Sequence, residues 1–105
     1  MLGELEQVVL LSILRVGDEA YGVPILGEIE RQTARSLTLA TVYKTLARLE
    51  DKGLVASRTG DPTPQRGGRR KRYYALTADG RRALRESLAA LRRMTRGLQV
   101  GWDHP

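Results

Sequence analysis

The chain contains no cysteine and a single histidine, His104. The absence of thiols excludes disulfides, thiol nucleophiles and thiolate metal sites. One imidazole beside the last residue excludes most histidine-based metal and acid–base sites. Long apolar runs are also missing: none approaches the ~20 residues of a membrane-spanning helix, so no membrane partner is expected. There is no phosphate-binding glycine loop and no cluster of metal ligands. The expectation is a protein that is not an enzyme and needs neither cofactor nor metal. The first residues, Met1-Leu-Gly-Glu-Leu-Glu6, lack the basic stretch of a secretion signal, which leads to the expectation of a cytoplasmic protein.

What the chain does have is positive charge, unevenly placed. Its 105 residues are enough for one ordinary domain, and the 41% that are hydrophobic allow a modest core. Lys and Arg number 18 against 12 Asp and Glu, a formal charge of +6. Residues 1–30 are acidic, with Arg15 alone against Glu4, Glu6, Asp18, Glu19, Glu28 and Glu30. Residues 57–72 are basic, with Arg58, Arg66, Arg69, Arg70, Lys71 and Arg72 against Asp61. Arginines recur at 81, 82, 85, 92, 93 and 96. A basic run is most often a solvated face, but basicity of this degree also points toward nucleic acid.

Apolar periodicity sets out the elements. Leu2, Leu5, Val8, Val9, Ser12 and Ile13 recur at helical spacing, predicting a helix over 2–15 that Gly17 and Asp18 break. Gly22-Val-Pro24 opens a second helix, with proline in the first turn where its missing N–H is harmless and Ile25, Leu26 and Ile29 as the apolar stripe. After a link centred on Ala34-Arg-Ser36, Thr38 is suited to cap a third helix over 39–52, with Leu39, Val42, Leu46 and Leu49 inward and Gly53 at its end. Residues 54–58 and 70–76 read as two strands around a Gly- and Pro-rich loop, a hairpin in which Arg72, Tyr74 and Leu76 share one face and Lys71, Tyr73 and Ala75 the other. Thr77 is suited to cap a last helix over 78–97, and residues 99–105 show no periodicity.

Helix, helix, helix, hairpin, helix is the order of a winged helix-turn-helix, in which the third helix can enter the major groove while the wing reaches an adjacent groove or the backbone. At about 100° per residue, Ala40, Thr41, Lys44, Ala47 and Arg48 fall opposite the apolar stripe of the third helix. Small residues permit close approach, and Thr, Lys and Arg can bond phosphates or base edges. An ordinary amphipathic surface helix has the same pattern. Tyr43 lies on the flank, suited either to the core or to a phosphate. The string Gln65-Arg-Gly-Gly-Arg-Arg-Lys-Arg72 puts five cations in eight residues, a wing able to touch DNA. Tyr73 and Tyr74 suit either sheet packing or base stacking. In the last helix Leu84, Leu88, Leu91 and Leu98 form a short seam, with a second subunit the natural partner and packing within one chain the alternative. Trp102 suits either an anchor or an exposed ring.

Several strings, taken in order, carry a resemblance: Leu2-Gly-Glu-Leu-Glu6, Ala20-Tyr-Gly22, Leu39-Ala-Thr-Val-Tyr43, Gly68-Arg-Arg-Lys-Arg-Tyr-Tyr74 and Leu76-Thr-Ala-Asp-Gly80. Over residues 2–85 the chain resembles the PadR family of bacterial transcriptional regulators, in its small form with a short C-terminal part. The resemblance implies a mainly α fold with a small β-hairpin: a winged helix-turn-helix DNA-binding domain over 1–77, a dimerisation helix over 78–98 and a tail over 99–105. It implies a cytoplasmic homodimeric repressor, nucleoid-associated when bound to an inverted-repeat operator in double-stranded DNA, and released by a small aromatic or hydrophobic effector. Carried over by position, Tyr21, Thr41, Tyr43, Lys44, Arg48, Arg66, Arg69, Arg70 and Lys71 would contact DNA. Leu2, Leu5, Leu84, Leu88, Leu91 and Leu98 are expected at the dimer interface. The competing reading is a winged-helix interaction module whose basic wing binds an acidic protein; an apolar outer face on the third helix would favour it.

Overall fold

The computed structural model describes residues 2–60 and 70–98. Its elements are α1 (Glu4–Val16), a short 3-10 turn (Gly17–Glu19), α2 (Gly22–Thr33), α3 (Leu39–Asp51), β1 (Val55–Thr59), β2 (Arg72–Leu76) and α4 (Ala78–Thr95). The strands pair antiparallel, Val55 opposite Leu76 through Thr59 opposite Arg72. The fold is thus mainly helical with one hairpin, in the order expected.

Helix α1 lies at the centre and packs on α2, α3, β2 and α4. This explains why Leu10, outside the stripe read from the sequence, is wholly buried: a helix surrounded on several sides buries more than one stripe. Ile25 and Ile29 of α2 and Val42, Leu46 and Leu49 of α3 meet Val9, Leu10 and Ile13 in one core. On the hairpin, Tyr74 and Leu76 turn inward and Arg72, on the same face but further along, reaches solvent. Leu84 of α4 is 4% exposed and belongs to this same core, so the first half of the last helix packs within its own chain.

Three polar joints fix how the elements meet. Glu28 of α2 accepts from Arg15 of α1 at 2.7 Å, from Gln32 at 3.0 Å and from Arg31. These donors hold its carboxyl well below its usual value, at about 2. Glu6 is buried; burial pushes its carboxyl up, but Lys52 at 2.6 Å and the Gly3 amide at 3.0 Å outweigh that and leave it lowered. The Gly3 bond makes Gly3 the N-cap, so α1 starts at Glu4, two residues later than the apolar pattern implies. Leu2 stays outside the helix, its N–H donated to Ser87 of α4 at 3.1 Å.

The third joint is the corner where α3, the hairpin and α4 converge. The Thr77 hydroxyl accepts from the Gly80 amide at 3.0 Å, capping α4, and donates to the Gly53 carbonyl at 2.7 Å. The Thr77 amide donates to the Leu54 carbonyl at 3.0 Å, and a Cβ on Gly80 would lie 2.0 Å from that same oxygen. Backbone meets backbone there, so no rotamer change can make room.

Two outcomes follow. Gly80→Ala is expected to cost about 2–3 kcal/mol in chemical unfolding; an unchanged midpoint would show that α4 can shift at no cost. Glu28 adds stability in full above its ordinary 4.5, and that contribution is lost as pH falls toward 2. Thermal melts should therefore show the wild type losing stability more steeply than Glu28→Gln between pH 4.5 and 2; parallel curves would exclude the clamp.

Candidate nucleic-acid interface

Helix α3 presents two unlike faces. Thr38 caps it, its hydroxyl accepting from the Thr41 amide at 3.1 Å and lying 2.9 Å from the Thr41 hydroxyl. Thr41, a candidate contact, is thus half-buried and already engaged at the helix start. Thr45 is buried and bonds back to the Thr41 carbonyl at 3.0 Å. With Val42, Leu46 and Leu49 inward, Ala40, Tyr43, Lys44, Ala47 and Arg48 face solvent. The outer face is cationic and small, not apolar. Tyr43 is 44% exposed, so it is not a core residue.

The Tyr43 ring leans on the start of α2. A Cβ on Gly22 would lie 2.5 Å from the Tyr43 hydroxyl and 2.6 Å from the ring carbon that bears it. Glycine at position 22 is what lets the tyrosine lie across this helix end, where the helix dipole is positive.

The hairpin stands beside this face. The Tyr74 amide donates to the Ala20 carbonyl at 2.8 Å, so the segment before α2 runs along β2. Tyr21 is half-buried and its hydroxyl accepts from the Lys71 ammonium at 3.4 Å. Arg70 and Arg72 are exposed. Arg66 and Arg69 lie outside the described residues, as do Trp102 and the tail. Of the candidate contacts, Tyr43, Lys44 and Arg48 share one exposed helix face, Tyr21 and Lys71 meet at the root of the wing, and Arg70 begins the second strand's approach. The spacing of charges alone gave no sign that Tyr21 and Lys71 touch.

The model of the transcriptional regulator PadR-like family matches residues 10–86. The chain belongs to the PadR family of transcriptional regulators. It is 36% identical over 89 residues to a transcriptional regulator of Mycobacterium tuberculosis, covering 83% of this chain and 77% of that protein. The crystal structure of a PadR family transcription regulator from Clostridium difficile is similar with a TM-score of 0.68 at 30% identity, over 87% of this chain and 91% of that one. A transcriptional regulator from Clostridium thermocellum shares the fold with a TM-score of 0.72 at 24% identity, over 88% and 86% of the two chains.

In this PadR-family regulator the residues expected at a subunit interface divide along α4. Leu2, Leu5 and Leu88 are half-buried against the chain's own core, and Leu84 is within it. That part of the seam serves the single chain, a change from the expectation that a second subunit covers the whole stripe. Leu91, 43% exposed, continues the stripe past the core, and Met94, which the leucine spacing does not include, is 74% exposed beside it. The helix stops at Thr95, short of the 97–98 expected, because Arg96 turns extended and Gly97 takes a φ of 81°; Leu98, 53% exposed, therefore lies beyond the helix and off its stripe. The sequence marks Gly22 only as a helix start and Glu28 only as an acidic residue; the contact of one with Tyr43 and of the other with Arg15 depends on neighbours in other elements.

Gly22→Ala is expected to push the Tyr43 ring outward while changing the unfolding free energy by less than about 1 kcal/mol, because the ring is free to swing into solvent and alanine loses less entropy on folding. A crystal structure and a melt of the variant check both parts; an unmoved ring would show that α2 yields instead.

Proposed function

We propose that this PadR-family regulator binds duplex DNA sequence-specifically as a homodimer, with α3 in the major groove and the wing on the minor groove or the phosphate backbone. The observation that carries the reading is the division of α3: one face buried, the other exposing Lys44 and Arg48 beside the small residues Ala40 and Ala47. That outer face suits the groove in shape and charge, and its lack of large aliphatic residues disfavours a protein-binding surface. Tyr43, held at the positive end of α2, is placed to give its hydroxyl to a phosphate. Pairing of subunits through Leu91, Met94 and Leu98 would remove from water the large exposed apolar side chains at the end of α4 and just beyond it. Two-fold symmetry then asks for an inverted-repeat operator with half-sites about one helical turn apart.

In this reading the protein is a cytoplasmic repressor, and a small aromatic or hydrophobic compound releases it by favouring an arrangement of the subunits that cannot bind DNA. A groove between α1 and α2, lined by Val8, Leu11, Leu14 and Ile29 and by Ser12, Arg15, Gln32 and Thr33, has room for a small ligand with an apolar body and a polar group.

The test is an anisotropy titration of the DNA upstream of the protein's own operon against a scrambled duplex, at two salt concentrations. Tight binding that survives scrambled competitor is the expected result. Equal and strongly salt-sensitive binding to both duplexes would reduce the interaction to phosphate contact. Within the same assay Arg48→Ala should cost about 1–3 kcal/mol and relax the sequence preference if Arg48 reads a base. Uniform weakening would place Arg48 on the backbone, and no effect would remove it from the interface.

A further inference from the structure

The wing is joined to the helical body by a cluster that neither the core nor the outer face of α3 uses. Tyr73 lies on the side of the sheet opposite buried Tyr74. Its ring meets Tyr21 edge-on, with centroids 5.6 Å apart and planes at 79°. Arg58, its partner across the strands, lies 4.6 Å over the Tyr73 ring. Lys71 lies 4.5 Å over the Tyr21 ring. Gly60 fits flat beneath Tyr73, where a Cβ would come within 2.4 Å of the ring. Two adjoining rings with a cation at each end thus run through the corner between the turn before α2 and the root of the hairpin, each cation on the electron-rich face of a ring.

The geometry gives this corner a mechanical role. A two-stranded hairpin is marginal by itself and bends easily. One face of the hairpin is held to the body by Val55, Tyr74 and Leu76 in the core, by the Ser57–Glu50 bond and by the Tyr74–Ala20 backbone bond. The Tyr21–Tyr73 contact grips the opposite face, and a hold on both faces resists bending of the hairpin. Tyr21 also stands between Ala20, which holds β2, and Gly22, which carries the Tyr43 ring of α3. Three consecutive residues therefore touch the wing by backbone, the wing by side chain, and the third helix.

We propose that Tyr21 and Tyr73 are positioning residues that set the angle of the wing relative to α3, with Lys71 and Arg58 capping the rings. The consequence for DNA rests on the reading that the wing touches DNA. Lys71 then acts by holding the joint, in place of the direct contact expected of it, and Arg58 joins it in that role.

The absence of cysteine makes the test direct. Spin labels at Arg70→Cys and Glu30→Cys, in full-length chain diluted with unlabelled chain, report the angle between wing and body without DNA. The expected result is a narrow distance distribution in the parent, a broad one with Tyr73→Leu, and a narrow one again with Tyr73→Phe, which keeps the ring. An unchanged distribution in Tyr73→Leu overturns the proposal. A melt of each variant, read beside it, shows whether broadening comes from unfolding; broadening that occurs only in an unfolded fraction overturns the proposal as well.

A second arm measures affinity for the fragment selected by the titration above. Tyr73→Leu should weaken binding at least about fivefold, as should Arg70→Ala, and the double variant should be little worse than either, because both remove the same wing contact. Additive losses would mean that Tyr73 acts apart from the wing, against the proposal. A broadened wing with unchanged affinity in both single variants would keep the joint but sink the reading that the wing touches DNA, and with it the functional half of the proposal.

Discussion

The complete burial of one face of α3 is the constraint on which the rest depends. Val42, Leu46 and Leu49 have no exposed surface, and they meet Leu10, Ile25 and Ile29, which have none either. Burying one such side chain is worth about 1.5–3 kcal/mol, whereas an exposed polar contact on the outer face returns about 0–1 kcal/mol. Turning or sliding α3 to suit the outer residues would forfeit more than it could gain. The core therefore fixes which residues of α3 face outward, and Tyr43, Lys44, Ala47 and Arg48 are exposed as a consequence.

Around that core the polar joints set geometry more than they add stability. Glu6 and Glu28 are buried carboxylates with every approach supplied by a donor, the condition under which such groups are tolerated. Glu28 ties the end of α1 to α2, Glu6 ties the start of α1 to the end of α3, and Ser57 bonds Glu50 at 2.8 Å to tie β1 to α3. Gly22 and Gly80 do the complementary work by absence of a side chain, one letting a ring lie on a helix end and the other letting backbone meet backbone. The Tyr21–Tyr73 joint extends the same logic to the wing, whose other attachments, Val55, Tyr74 and Leu76 in the core and Ser57 on Glu50, lie on the opposite face of the sheet.

The local features of this regulator were legible because their causes are local. Thr38 and Thr77 cap the helices they precede, and each satisfies an amide three residues on. The alternation of β2 puts Tyr74 and Leu76 on one face and Tyr73 on the other because neighbouring side chains of a strand point to opposite faces; which face is inward is decided by the core. The ordered strings around Tyr21-Gly22, Leu39–Tyr43 and Leu76–Gly80 carried the family. Errors came where the cause lies far away. Leu2 was read into α1, but its amide is claimed by Ser87, 85 positions later. Leu10 was left out of the core because a single stripe was assumed for a helix that is covered on several sides. The periodicity of α4 shows that a stripe is buried and not what covers it, so only the structure places Leu84 in the core of its own chain.

By itself, then, the sequence determined the order of the four helices and the hairpin, the caps Thr38 and Thr77, the inward face of α3 and the family, all of which follow from residues near one another in the chain. Only the tertiary structure decided that Tyr43 lies across the start of α2, that Lys71 rests on Tyr21, and that the leucine stripe of α4 divides at Leu88 into a part buried in its own chain and a part left exposed. Each of these is a contact between segments that the chain brings together only after the core has closed. A pattern with a period of two or about four residues carries no information about such a neighbour.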